Sequence, residues 1–256
     1  NIRCSNKCAN PVLFSSSSLA PTSYKVFTTA SGVVTSLWKI TRFPHCITVV
    51  RNGKDNEEND RLEEMEKTWA DKYQLPLIPL CFDVRDRAGV FEAIEGLDKD
   101  LTIDVLINNA GGALGRDSFD QADIDDWDTM IDANVKGLLY VTRAVLPRLK
   151  KSTRPHIFNI GSTAGKEVYA AGNVYCASKF AVDALSKAMR IDLLEDGVKV
   201  TQINPGLVET EFSLVRFKGD KEKAKMAEER LKNPAELEID IRKVKQSKKS
   251  IIVKNT

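Results

Sequence analysis

A chain of 256 residues is long enough for one large domain with a substantial core, and its composition, 42% hydrophobic and 29% charged, argues against disorder throughout. The formal net charge is only +2, so no general electrostatic pull toward nucleic acid or an anionic membrane follows. Five cysteines without paired ligand spacing and only two histidines point to reduced thiols and no metal, and no run approaches the roughly 18 uninterrupted apolar residues of a membrane span.

The first fifty residues contain no Asp or Glu, carry Arg3, Lys7, Lys25, Lys39 and Arg42, and include the run Ser15 to Ser18. Transit peptides share that composition, which sets an organelle address beside a cytoplasmic one. Residues 1–22 are read as a flexible or targeting-like segment outside the fold. From Tyr24 onward, short apolar runs alternate with longer helical periods, the pattern of a parallel sheet covered by helices. Lys25-Val26-Phe27-Thr28 predicts a weak first strand and Cys46 to Val50 a stronger second. A charged helix follows over residues 60–73, with Leu62, Met65 and Trp69 on one stripe. Leu77 to Phe82 predicts a third strand, running into Asp83-Val84, and Val90, Ile94 and Leu97 mark a short helix.

Leu101 to Ile107 predicts a fourth strand, followed by one long helix over residues 126–150 with Pro147 as a kink near its end. His156 to Ile160 is a fifth strand. The next helix begins near Asn173 and runs to about Glu195, where Asp196-Gly197 suits a left-handed cap. Val198 to Ile203 is a sixth strand ending at Asn204-Pro205-Gly206. Strand and helix alternating this often give an α/β fold, a doubly wound parallel sheet of Rossmann type in a single domain over residues 23–232. Residues 233–256 form a divergent C-terminal segment.

Ligands of such sheets bind beyond the carboxyl ends of the strands. Asp83, Asn108 to Gly112, Gly161-Ser162 and Pro205-Gly206 all follow strand ends directly. The helix after the fifth strand carries Tyr175 and Lys179 four residues apart, which puts a phenol and an ammonium on one face. A phenol, with an ordinary pKa of about 10, needs a nearby cation to exchange protons near neutrality. The other tyrosines (Tyr24, Tyr73, Tyr140 and Tyr169) have no cation four residues on. Singly, each feature has a plain alternative: Ser162 as a turn former, Asn134 as a solvent-facing helix residue, the Tyr/Lys spacing as chance.

Together, Asn108-Asn109-Ala110-Gly111, Asn134, Ser162 within Gly161-Ser162-Thr163-Ala164-Gly165, the Tyr175/Lys179 pair and Pro205-Gly206 resemble the short-chain dehydrogenase/reductase family. Within it, residues 104–111, 159–165 and 210–220 are similar to NADP-dependent 3-hydroxy acid dehydrogenases of the serine dehydrogenase and malonic semialdehyde reductase type. The resemblance implies that Tyr175 is the general acid/base, that Lys179 lowers its pKa and holds the nicotinamide ribose, that Ser162 bonds the substrate oxygen, and that Asn134 holds a relay water. It implies that Asp83, Val84, Asn109, Ala110 and Gly111 line the adenosine side of the cofactor and that Pro205, Gly206, Val208 and Thr210 wrap the nicotinamide. Arg51 follows the second strand where an acidic residue would bond a ribose 2′-hydroxyl, which favours NADP over NAD. Arg216 and Lys218 are candidates for a substrate carboxylate. The expected partner is a small molecule, with no nucleic acid or membrane and a homo-oligomer as in the family.

The sequence departs from the family pattern at both ends. The first strand leads into Thr28-Thr29-Ala30-Ser31-Gly32-Val33-Val34-Thr35, where Thr29, Val33 and Thr35 stand at the positions of the three phosphate-approaching glycines. The residues beyond 220 do not map onto it. The expected activity is therefore a hydride-transferring oxidoreductase, set against a non-catalytic Rossmann-like interaction module with a degraded dinucleotide turn.

Overall fold

The structure, a computed structural model, describes residues 24–29, 46–50, 77–206 and 212–229. Six parallel strands, β1 (Tyr24–Thr29), β2 (Cys46–Val50), β3 (Leu77–Cys81), β4 (Ile103–Asn108), β5 (His156–Ile160) and β6 (Lys199–Ile203), lie in the order β3-β2-β1-β4-β5-β6. That order winds outward in both directions from β1 and β4, so a crevice opens between the two halves beyond the strand ends.

The register of β4, β5 and β6 builds the core and then the floor of the site. Leu106, Ile157 and Val200 stand side by side in a buried apolar row. Val90 and Ile94 of helix α1 (Arg87–Glu95) and Val141, Val145 and Leu149 of helix α3 (Leu138–Leu149) pack against it. Two residues further along each strand, on the same face, come Asn108, Asn159 and Gln202, also buried. Hydrogen bonds tie this second row together, leaving Asn108 Oδ1 without a partner among the described residues. Asn108 Nδ2 donates to Thr142 Oγ1 and to Asn159 Oδ1, both at 2.9 Å, Asn159 Nδ2 donates to Ser186 Oγ at 2.9 Å, and Gln202 Nε2 donates to Asn204 Oδ1 at 2.8 Å. The sheet thus changes from apolar to amide-lined one step before the crevice.

Helix α1 begins at Asp86, whose carboxylate accepts from Ala88 N at 3.0 Å. The Arg148 guanidinium of α3 satisfies carbonyls around its other end, reaching Ile94 O at 3.2 Å, Leu97 O at 2.8 Å and Leu101 O at 3.2 Å, as well as Asp98 O. The predicted long helix is interrupted. Helix α2 (Ile124–Ile131) and α3 are joined by a widened π turn, Asp132–Gly137. The cause is tertiary: Asn134 is drawn to Gly112 and Ser178, and Gly137 rests against Val84, where a Cβ would stand 2.8 Å from a methyl. Pro147 falls in the last turn of α3, close to its end.

Helix α4 (Asn173–Asp192) stops short of the expected Glu195 because Leu193 turns into the core, and Gly197 supplies the expected left-handed turn with φ +70. The fourth strand starts at Ile103 because Leu101 belongs to a turn, its N–H bonded to Asp98 O at 3.2 Å. Short helices α5 (Phe212–Arg216) and α6 (Lys221–Glu229) follow the sheet. No helix among the described residues is long and apolar enough to cross a membrane. The segment 1–22, the helix expected over 60–73, the turn after Thr29, and residues 233–256 lie outside the described residues.

Candidate active site

Strand β5 ends at Ile160, and Ser162 opens a single 3-10 turn, Thr163–Gly165, its Oγ accepting from Ala164 N at 3.1 Å. That turn packs against α4 because Gly165 has no side chain; a Cβ there would lie 2.6 Å from Lys179 O. The helix then presents Tyr175 and Lys179 on its buried face, both 8% exposed. Ser162 stands close enough to the Tyr175 hydroxyl to favour its phenolate. Lys179 Nζ lies 5.9 Å from the Tyr175 ring and donates to Ile160 O at 3.0 Å.

The electrostatics add a burial penalty and a second cation to what the i, i+4 spacing implies. Burial pushes the Tyr175 phenol up to about 12, opposed by the neighbouring Ser162 hydroxyl and by the Arg216 charge. Lys179 turns its ammonium to the Ile160 carbonyl, and burial lowers Lys179 itself to about 8. A second cation that favours phenolate is Arg216, 5.8 Å from the Tyr175 ring.

Asn134 braces the site from behind. Its Nδ2 donates to Gly112 O at 2.9 Å and to Ser178 Oγ at 2.8 Å, and its Oδ1 accepts from Gly112 N at 2.8 Å. Ser178 Oγ in turn donates to Tyr175 O at 2.8 Å. Gly111, with φ +142, is required here: a Cβ would meet Asn134 Oδ1 at 2.3 Å. Asn109, Ala110 and Gly111 follow β4 at the same edge of the sheet.

The remaining sequence-derived residues fare unevenly. Asp83 stands just after β3, but Arg85 holds its carboxylate, with Nε at 3.0 and 2.9 Å from the two oxygens and Nη2 at 2.5 Å. Val84 is buried in the core, so only its main chain can meet a ligand. Pro205 and Gly206 follow β6, and Pro205 O accepts from Thr163 N at 3.1 Å, tying the β6 end to the Ser162 turn. Arg51, Val208 and Thr210 lie outside the described residues. Arg216 is 8% exposed, with Nε donating to Gly115 O at 2.8 Å and Nη1 to Tyr169 Oη at 3.1 Å. Lys218 is instead a surface cation paired with Asp126 at 2.8 Å and Asp123 at 3.7 Å. Among the described residues no cluster of His, Cys, Asp and Glu can hold a metal.

Two side chains beside the site, Tyr169 and Arg116, escaped the sequence reading. Tyr169, which lacks a cation four residues on, has Arg116 and Arg216 within 6 Å of its ring, at 5.7 and 5.9 Å. The signal is tertiary and leaves no spacing to read.

The family model for short chain dehydrogenases matches residues 46–220. The chain belongs to that family. This short-chain dehydrogenase is 46% identical over 164 residues to an NADP-dependent 3-hydroxy acid dehydrogenase of Schizosaccharomyces pombe, a match covering 64% of the chain and 63% of that relative. It is 48% identical over 186 residues to the NADP-dependent 3-hydroxy acid dehydrogenase YdfG of Salmonella typhi, covering 71% of the chain and 75% of the relative. The closed form of serine dehydrogenase complexed with NADP+ is similar to it with a TM-score of 0.67 and 39% identity, over 83% of each chain.

Proposed function

We propose that the chain is an NADP-dependent oxidoreductase that interconverts a hydroxyl and a carbonyl on a small polar substrate, with a 3-hydroxy acid as that substrate, and that residues 23–232 are its working domain. The observation that carries this reading is the meeting of Ser162, Tyr175 and Lys179 at one strand-end crevice with the buried Arg216 guanidinium beside the same phenol. The similarity to NADP-dependent relatives supports the cofactor, as does Arg51, which suits a 2′-phosphate.

The residues at the nicotinamide end fit such a cofactor. Lys179 has three N–H donors, and its one hydrogen bond, to Ile160 O, leaves two for ribose hydroxyls. At Gly112 an added Cβ would meet nothing within 4 Å, so the loop after β4 has open space at its edge. We assign Asn109, Ala110, Gly111 and the main chain of Val84 to the adenosine side, with Asp83 sharing its oxygens between Arg85 and the base. Pro205, Gly206, Val208 and Thr210 flank the nicotinamide in this reading. When bound, the cofactor supplies the hydride and, in its oxidised form, a positive charge that favours phenolate.

In reduction, Tyr175 is a neutral phenol at any pH below about 12 and donates its proton to the carbonyl oxygen, while Ser162 Oγ hydrogen-bonds the same atom. In oxidation the phenolate must form first, against the burial that opposes it. Asn134 commits its amide nitrogen to Gly112 and Ser178, so its main-chain carbonyl is the group assigned to the relay water. Arg216 anchors the substrate carboxylate.

The competing reading, a non-catalytic binding module, draws on Thr29, Val33 and Thr35 at the glycine positions after β1. A fluorescence titration with NADPH separates the two. Saturable binding is expected; none at millimolar NADPH would decide for the module. Tyr175→Phe should keep the cofactor affinity and lose turnover by about 100-fold or more, the usual scale of a general acid, and retained turnover would refute the proton-transfer role.

A further inference from the structure

Arg216 is a guanidinium taken almost wholly out of water without a counter-ion. Only 8% of it is exposed, and no carboxylate pairs with it among the described residues. Three carboxylates, Asp117, Asp123 and Asp126, line the same pocket; Asp123 and Asp126 are paired with Lys218, and none of the three is paired with Arg216. Of the five N–H donors of an arginine, two are used, Nε on Gly115 O and one hydrogen of Nη1 on Tyr169 Oη. A buried cation with three donors to spare is poised for an anion, and an anion held there lies next to the Tyr175 ring.

What fixes the direction of that cation is Tyr169. Its hydroxyl accepts from Nη1 at 3.1 Å while its ring lies 5.9 Å from the same guanidinium carbon, so one side chain constrains the arginine both at an edge and by its face. The ring is itself seated. Gly172, at the start of α4, leaves room for it, since a Cβ there would stand 2.8 Å from Tyr169 Cε2, and Gly172 N donates to Tyr169 O at 3.0 Å. The helix that carries Tyr175 therefore begins against the ring that orients Arg216. Arg116, 5.7 Å from the Tyr169 centroid, adds a second positive charge beside it.

We propose that Tyr169 is a positioning residue for carboxylate recognition: it holds Arg216 beside Tyr175, so that an acid bound at the guanidinium presents its hydroxyl-bearing carbon to the phenol. The inference rests on the proposed hydroxy acid reading and names the residue that makes Arg216 selective. Tyr169→Phe keeps the ring and removes only the hydrogen bond to Nη1.

The test uses the full chain saturated with NADP, with 3-hydroxypropionate and its methyl ester as probes, which share the hydroxyl and differ in the carboxylate. Calorimetric dissociation constants are measured for the wild type, Tyr169→Phe, Arg216→Ala and the double variant, and steady-state constants alongside. Loss of a hydrogen bond to a charged group is worth about tenfold, so Tyr169→Phe should weaken the acid about tenfold and the ester far less, with the effect falling on KM rather than kcat. In the Arg216→Ala background the same change should add nothing. Equal weakening of acid and ester by Tyr169→Phe would make the role merely structural and overturn the proposal. Discrimination by Arg216→Ala with none by Tyr169→Phe would overturn the role of Tyr169 alone. Failure of the wild type to bind the acid, or of Arg216→Ala to discriminate, would remove the hydroxy acid reading itself.

Discussion

Lys179 illustrates how a side chain is held at a cost to stability. Its ammonium is buried with one carbonyl partner, and burial lowers it from 10.5 to about 8, a displacement worth about 3 kcal/mol. Its folded pKa lies below its unfolded one, so the unfolded chain binds the extra proton between these values and wild-type stability should rise as pH climbs from about 8 to 10.5. Lys179→Met, which fills the same space without charge, should abolish that rise and stabilise the protein at pH 7 while losing turnover. Urea midpoints across the range, with activity assays, check both halves. Tyr175 and Lys179 were legible in the sequence because a helix repeats its faces at fixed spacing. That a second cation, Arg216, stands as close to the phenol ring was not, because it comes from a distant segment of the chain.

At the scale of elements, the strands were read almost to the residue, since short β-rich runs bounded by turn formers have few other uses. The helix over 126–150 was read as continuous, and the periodicity of Trp127, Met130, Ile131, Leu138 and Leu139 gives no hint of the π turn between them. That turn exists because Asn134 reaches two other elements, the loop at Gly112 and helix α4 at Ser178. Asn134→Leu should break the buried hydrogen bond to Ser178, costing about 1–3 kcal/mol, and two partly buried ones to Gly112, costing less. A denaturant titration should show the loss, and kcat should fall as α4 loosens beside Tyr175. An unchanged midpoint would mean the brace carries no load.

The whole molecule separates stability from chemistry along the strand direction. The site lies at the carboxyl ends, over the amide row of Asn108, Asn159 and Gln202, whereas His156 begins β5 at the opposite end. There its Nε2 is 2.8 Å from Thr201 Oγ1, its ring stacks on Phe158 at 4.0 Å, and burial with the neighbouring Lys199 charge lowers it to about 4. Its folded pKa is below the unfolded 6.5, so stability should be complete above pH 6.5 and fall as pH drops from 6.5 toward 4, where the unfolded chain takes the proton first. His156→Asn should flatten that limb in thermal melts between pH 4 and 7 and leave kcat near neutrality unaltered. A limb of unchanged slope would assign the acid sensitivity to other groups.

By itself, the sequence determined the alternating strands and helices, the family resemblance carried by Asn108 to Gly111, Ser162, Tyr175 and Lys179, and the single glycine of the run Thr28 to Thr35. These are local facts, written in spacing and residue type. The tertiary structure decided that Arg216 joins Lys179 beside the phenol, that Tyr169 is flanked by two arginines, and that Arg85 occupies the Asp83 carboxylate. Except for the last, these depend on side chains from distant segments meeting across the strand ends. Electrostatic and hydrogen-bond energies fall off over a few ångströms of space, and position along the chain does not report that distance until the sheet has brought the segments together.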